Sequence, residues 1–156
     1  MVKVLIVYES VSLSQVTASV AETIRGVLTE KGVKVDSFPV ADASKAMVKN
    51  YDCLLVGAPT MAFRAPQGIM KFLNSLPSEG ISGKAAAAFD TQSKSRLSGN
   101  AAKGIEGKLK SLGFTIVAPH LIAYIEGAGK GQWRLKEGEH EKSEKWAQDV
   151  AAVLLK

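Results

Sequence analysis

The sequence predicts an α/β protein built on a doubly wound, five-stranded parallel sheet with helices on both faces, and three observations carry that expectation. The opening apolar run of Val2, Val4, Leu5, Ile6, Val7 and Tyr8 is broken only by Lys3, the pattern of a strand covered on both faces. Strand-like and helix-like segments then alternate five times, which calls for parallel strands joined by right-handed crossovers. Finally, polar loops leave three strands, at residues 9–16, 59–65 and 90–98. In such folds ligands bind beyond the carboxyl ends of the strands, so the three loops are expected to converge on one site.

After the first strand, apolar residues at Val16, Val20, Ile24, Val27 and Leu28 have the spacing of a helix that buries one face, and Gly32 ends it. Val33, Val35, Phe38 and Val40 alternate with Lys34, Asp36 and Ser37, as expected of an outer, partly exposed strand. Residues 42–50 have the length of a short second helix. The third strand, from Cys53 to Val56, is closed by Gly57-Ala58-Pro59-Thr60, where Pro59 cannot donate to a ladder. Ile69, Phe72, Leu73 and Leu76 mark a third helix stopped by Pro77. The run Ala85 to Phe89 reads as a fourth strand despite its four alanines, because small side chains let helices lie close to a central strand.

A fourth helix is defined by Ala101, Ala102, Ile105, Leu109 and Leu112 and ends at Gly113. The fifth strand starts at Phe114, is interrupted by Pro119 and resumes through Leu121, Ile122, Tyr124 and Ile125. Gly127, Gly129 and Gly131 read as an open loop before a final helix carrying Trp146, Val150, Val153 and Leu154, with Trp133 and Trp146 expected to pack that helix and its loop.

At 156 residues with 46% hydrophobic content, one domain spanning residues 1–156 is expected. No apolar run approaches the ~18 residues of a membrane span, so a cytoplasmic protein without a membrane partner is expected. A single cysteine, Cys53, excludes an intrachain disulfide and a thiolate metal cluster, and reads as a small buried hydrophobe. The net charge of +5 favours anionic ligands or acidic partners, but the cations are dispersed and no nucleic-acid surface is expected. His120 reads as a satisfied structural histidine. No serine lies in a nucleophile elbow, which argues against a hydrolase.

The first loop carries the chemistry. Ser10, Ser12, Ser14 and Thr17, with Gln15 and Val16 among them, join a buried strand to a helix. At such a junction the first helical N–H groups and the positive end of the macrodipole can hold a phosphate, supplemented by hydroxyls. Capping of the first helix by Ser12, Ser14 or Thr17 suits the same residues.

At these loops the chain resembles the flavodoxin-like flavoproteins over essentially its whole length. The resemblance is carried by YES at Tyr8 to Ser10, GAPT at Gly57 to Thr60 and AFDT at Ala88 to Thr91, and by EGEHEKSEKWAQDV from Glu137 to Val150. It implies strand order 2-1-3-4-5, one non-covalent FMN, and a role as an electron-transfer protein or small flavin-dependent oxidoreductase working with a redox partner protein. The phosphate loop departs from the family, which commonly has Ser/Thr-x-Thr-Gly-Asn-Thr where this chain has Ser12-Leu13-Ser14-Gln15-Val16-Thr17. Gln15 and Val16 in place of Gly-Asn would resist a positive φ, which keeps a flavin-free binding or regulatory module as the alternative.

The resemblance also implies that Pro59, Thr60, Met61, Ala62 and Phe63 lie against the flavin ring, and that Asp90, Thr91 and Gln92 meet its polar edge. Asp90 is expected to turn away and fix its loop, because a carboxylate would repel reduced flavin. Typical flavodoxins are acidic whereas this chain is basic, so the expected redox partner is acidic.

Overall fold

A computed structural model describes residues 1–10, 15–60, 65–77, 79–93 and 99–156, with the backbone alone described at residues 45 and 46. Among them the chain forms strands β1 (Lys3–Tyr8), β2 (Lys34–Pro39), β3 (Cys53–Pro59), β4 (Ala85–Ser93), β5 (Thr115–Ile116), β6 (Leu121–Gly129) and β7 (Gln132–Leu135). The α-helices are α1 (Val16–Glu30), α2 (Gln67–Asn74), α3 (Ala101–Ser111) and α4 (Glu139–Leu154). One sheet has the order β2-β1-β3-β4-β6-β7, with β5 also paired to β4. Every pairing is parallel except β6 with β7.

The period-two geometry of the strands explains how one apolar run serves two faces. Val4 and Ile6 point toward α1 and α4, packing with Ile24, Leu28, Trp146 and Val150. Leu5 and Val7 point the other way, toward α2 and α3, with Ile69, Leu73, Ile105 and Leu109. The alanines of β4 behave as their size predicts: Ala86 and Ala88 sit under α3 and Ala87 under α1, all fully buried. Phe89 ends the run at 6.3 Å from Trp146, in a tilted ring pair, and the Trp146 indole N–H donates to the Pro119 carbonyl at 2.7 Å.

Cys53 is buried as expected, and burial pushes its thiol up to about 12, which keeps it from thiolate chemistry. The fifth strand is divided at Pro119 into β5 and β6, so the parallel order 2-1-3-4-5 holds with its last member in two pieces.

Four expectations are corrected. Residues 42–50 hold no α-helix: the 3₁₀ segments Val40–Asp42 and Lys45–Asn50 take its place as connectors between β2 and β3. Residues 90–93 are strand, not loop, because β4 continues to pair with β6 through Ser93. The glycine segment is not an open loop either. Gly129 and Gly131, at φ +118° and +69°, turn β6 back into the antiparallel edge strand β7. Trp133 therefore lies on β7 opposite Gly127, 39% exposed, while Trp146, on α4, is the buried one of the two tryptophans.

Candidate functional site

The carboxyl ends of β1, β3 and β4 and the first turns of α1, α2 and α3 meet at one edge of the sheet. Each helix is held there in a different way. Glu9, the residue after β1, reaches across to α2: its Oε1 accepts the Ile69 N–H at 2.9 Å, placing a carboxylate on the positive end of that helix. Gly68 makes room for it, since a Cβ there would stand 2.7 Å from the same carboxylate. Asn100 caps α3 locally by accepting the Lys103 N–H at 2.9 Å.

Asp90 completes the hold on α3. It is 0% exposed, and its carboxylate accepts from the Thr60 hydroxyl at 2.6 Å, the Gln92 amide at 2.9 Å and the Ala102 N–H at 3.2 Å. Thr60 Oγ1 in turn accepts the Ala101 N–H at 3.0 Å. Burial pushes the Asp90 carboxyl above the usual carboxylate range, and its hydrogen bonds counter this only in part. So the carboxylate is turned away from the edge as expected, but it joins β3, β4 and α3 instead of fixing a loop of its own, and the Thr60 N–H bonds to the Thr91 carbonyl at 3.1 Å. Thr17 and Thr91, both 2% exposed, share a hydroxyl–hydroxyl bond of 2.8 Å that pins the first turn of α1 to β4.

The phosphate corner is bracketed by Ser10 and Gln15. Ser10 Oγ is buried and has no hydrogen-bond partner among the described residues. Gln15 is the N-cap of α1 at φ 51°, ψ 42°, in the left-handed region, and makes no side-chain cap. This overturns the expectation that Gln15 would resist a positive φ; it accepts one, at a cost of about 1 kcal/mol. The objection on backbone grounds is thereby removed at Gln15, and residues 11–14 of the loop lie outside the described residues. Val16 is buried at the first helical position. Ser12, Ser14, Met61, Ala62 and Phe63 lie outside the described residues, as do Arg64, Lys94 and Arg96.

His120 is the structural histidine expected, 3.5 Å from the Glu106 carboxylate and 3.3 Å from the Asn100 amide. The sequence reading gave no role to Glu9 or Asn100. Asn100 carried a readable signal, an Asn immediately before an apolar helix, whereas Glu9 bonds a residue 60 positions away and carried none.

A parallel sheet with the buried Ser10 hydroxyl and a left-handed entry to a helix at the switch in strand order defines a doubly wound protein suited to a phosphate-bearing cofactor. The chain belongs to the flavodoxin family, whose model matches residues 6–146. It is an FMN-binding electron-transfer protein that serves redox partners.

Among solved structures, a flavodoxin from the domain Archaea superposes with a TM-score of 0.79 at 22% identity, covering 99% of each chain. Flavodoxin 1 from Bacillus cereus does so with 0.80 at 21%, covering 96% of this chain and 97% of that one. The rubredoxin oxygen:oxidoreductase of Desulfovibrio gigas matches with 0.75 at 19%, over 98% of this chain and 36% of that chain. No curated protein matches the chain. No helix among the described residues is long and apolar enough to cross a membrane.

The residues present fit an FMN phosphate. A buried hydroxyl without a hydrogen-bond partner among the described residues, Ser10 Oγ, stands at the start of the loop that leads to the N-terminus of α1.

Proposed function

We propose that this protein is a basic, cytoplasmic, single-domain electron carrier that holds FMN at the edge just described and exchanges electrons with an acidic redox protein. The observation that carries the reading is the Ser10 hydroxyl, buried and unpartnered among the described residues beside the entry to α1. In this reading the phosphate is held by the hydroxyls of Ser10, Ser12 and Ser14 and by main-chain N–H groups of Gln15, Val16 and Thr17. The Thr17 side chain is not needed, since it holds Thr91. Pro59, Thr60, Met61, Ala62 and Phe63 provide the apolar cover. Asp90, Thr91 and Gln92 border the polar edge of the ring, the Asp90 carboxylate being committed to Thr60 and α3. Bound FMN supplies the redox centre, and the protein sets its potential and access.

Two measurements test this. Ser10→Ala removes one charge-assisted hydrogen bond, worth about 1.5–3 kcal/mol, and is expected to weaken FMN binding roughly 10- to 100-fold in a fluorescence-quenching titration. An unchanged affinity would remove Ser10 from the phosphate site. For the partner, the +5 charge predicts that raising salt slows electron exchange with an acidic donor, because screening weakens the steering of opposite charges. A rate that climbs with salt would contradict the acidic partner.

A further inference from the structure

The β6–β7 hairpin is the part of the sheet that the parallel core does not explain. β4 ends where Ser93 pairs with Ile125, and beyond that pair β6 continues with β7 alone, Glu126 opposite Arg134 and Gly127 opposite Trp133. Trp133 thus stands two residues, ~7 Å, past the paired end of β4, and two strand spacings, ~10 Å, to its side. That is the same edge of the sheet as the candidate site, and β7 also approaches α1, the helix whose first turn forms the phosphate corner.

A four-residue edge strand has little core to build, yet it carries a tryptophan that is 39% exposed, the largest side chain on an otherwise polar rim. Residues 126–136 carry Lys130, Arg134 and Lys136 against one carboxylate, Glu126, which pairs with Arg134 at 2.8 Å. Lys130 and Lys136 have no ion-pair partner among the described residues. An exposed indole on a hairpin rich in cations has the composition of an interface centre and its steering rim.

We infer that the β6–β7 hairpin docks an acidic redox protein, with Trp133 as the apolar anchor and Lys130, Arg134 and Lys136 as the cationic rim. The inference rests on the reading of the protein as a basic electron carrier. Docking there brings the donor alongside the flavin edge. In each transfer one electron leaves the donor and one reaches the bound flavin.

The test uses FMN-loaded protein and a photoreduced acidic [2Fe–2S] ferredoxin as probe donor, with rates followed by flash photolysis at low salt. Trp133→Ala is expected to lower the second-order rate about tenfold, as loss of an interface anchor does, and Trp133→Phe to restore most of it. Lys130→Glu combined with Arg134→Glu is expected to lower the rate by a similar factor and to flatten its salt dependence. Reduction by an uncharged photogenerated radical and the affinity for FMN should stay at wild-type values. Hairpin variants that keep FMN and exchange at the wild-type rate would overturn this inference while leaving the carrier reading intact. A shift of Trp133→Ala from dimer to monomer in sedimentation, at unchanged rates, would assign the hairpin to a second copy and equally overturn it. A wild-type protein that retains no FMN would overturn the carrier reading and this inference with it.

Discussion

Gly57→Ala is expected to destabilise the protein by about 3 kcal/mol or more, since inserting atoms into a well-packed core costs this much when the neighbours cannot yield. A Cβ at position 57 would stand 2.0 to 2.5 Å from three ring atoms of Phe89. The ring has nowhere to go: Phe89 is 0% exposed, and Trp146 behind it is fixed by its bond to the Pro119 carbonyl. Relief would have to come from separating β3 from β4, whose register pairs Gly57 with Phe89 at the entrance to the site. In a chain of this size the melting temperature should fall by about 6–12 °C. The control is Gly104→Ala on α3, where a Cβ meets nothing within 4 Å, and where replacing a helical glycine should add up to about 1 kcal/mol. A Gly57→Ala melting curve that overlays the wild type would refute the packing described for the centre of the sheet.

Asp90→Ala is expected to cost about 3 kcal/mol, because it strips the acceptor from the Thr60 hydroxyl, the Gln92 amide and the Ala102 N–H together, and each buried donor left unpaired costs roughly 1–3 kcal/mol. Asp90→Asn is the informative partner. Its oxygen can take the place of the Oδ2 that receives all three donors, and its amide can face Thr60 where Oδ1 now does, so its loss at neutral pH should stay within about 1 kcal/mol. The pH dependence carries a definite sign. Burial raises the folded-state value above the unfolded one, so the folded protein holds the Asp90 proton more tightly. The resulting stabilisation is fully present below the unfolded value and is lost as pH rises through the folded one. Urea-unfolding free energies measured across the acid range should therefore contain a component that declines with rising pH in the wild type and is missing in Asp90→Asn. Identical profiles for the two proteins would show that Asp90 is not perturbed as its burial requires.

How far the sequence could be read follows from the range of the interactions. Val4 to Val7 and the alanine run of β4 were legible because burial on both faces leaves its mark on consecutive residues. The approximate place of the site was legible for a similar reason, as polar residues gather where strands end. The bonds that build the site were not. Thr17 meets Thr91 across 74 residues and Thr60 meets Asp90 across 30, and no local pattern announces either. The hairpin escaped because β7 is four residues long and is introduced by glycines, which fit an open loop as well as a turn. Gln15 is the instructive case: a residue type that avoids positive φ occupies it, since the tertiary fold outweighs a preference of about 1 kcal/mol.

FMN is expected to be held at an edge whose phosphate loop lacks the usual glycine. The most direct test is the visible absorption spectrum of the purified protein after FMN is added and the unbound excess removed. Retention of a band near ~450 nm, the mark of a bound oxidised flavin, is the predicted result, with the fluorescence of added FMN quenched on binding. A colourless protein that leaves FMN fluorescence unquenched would contradict the account.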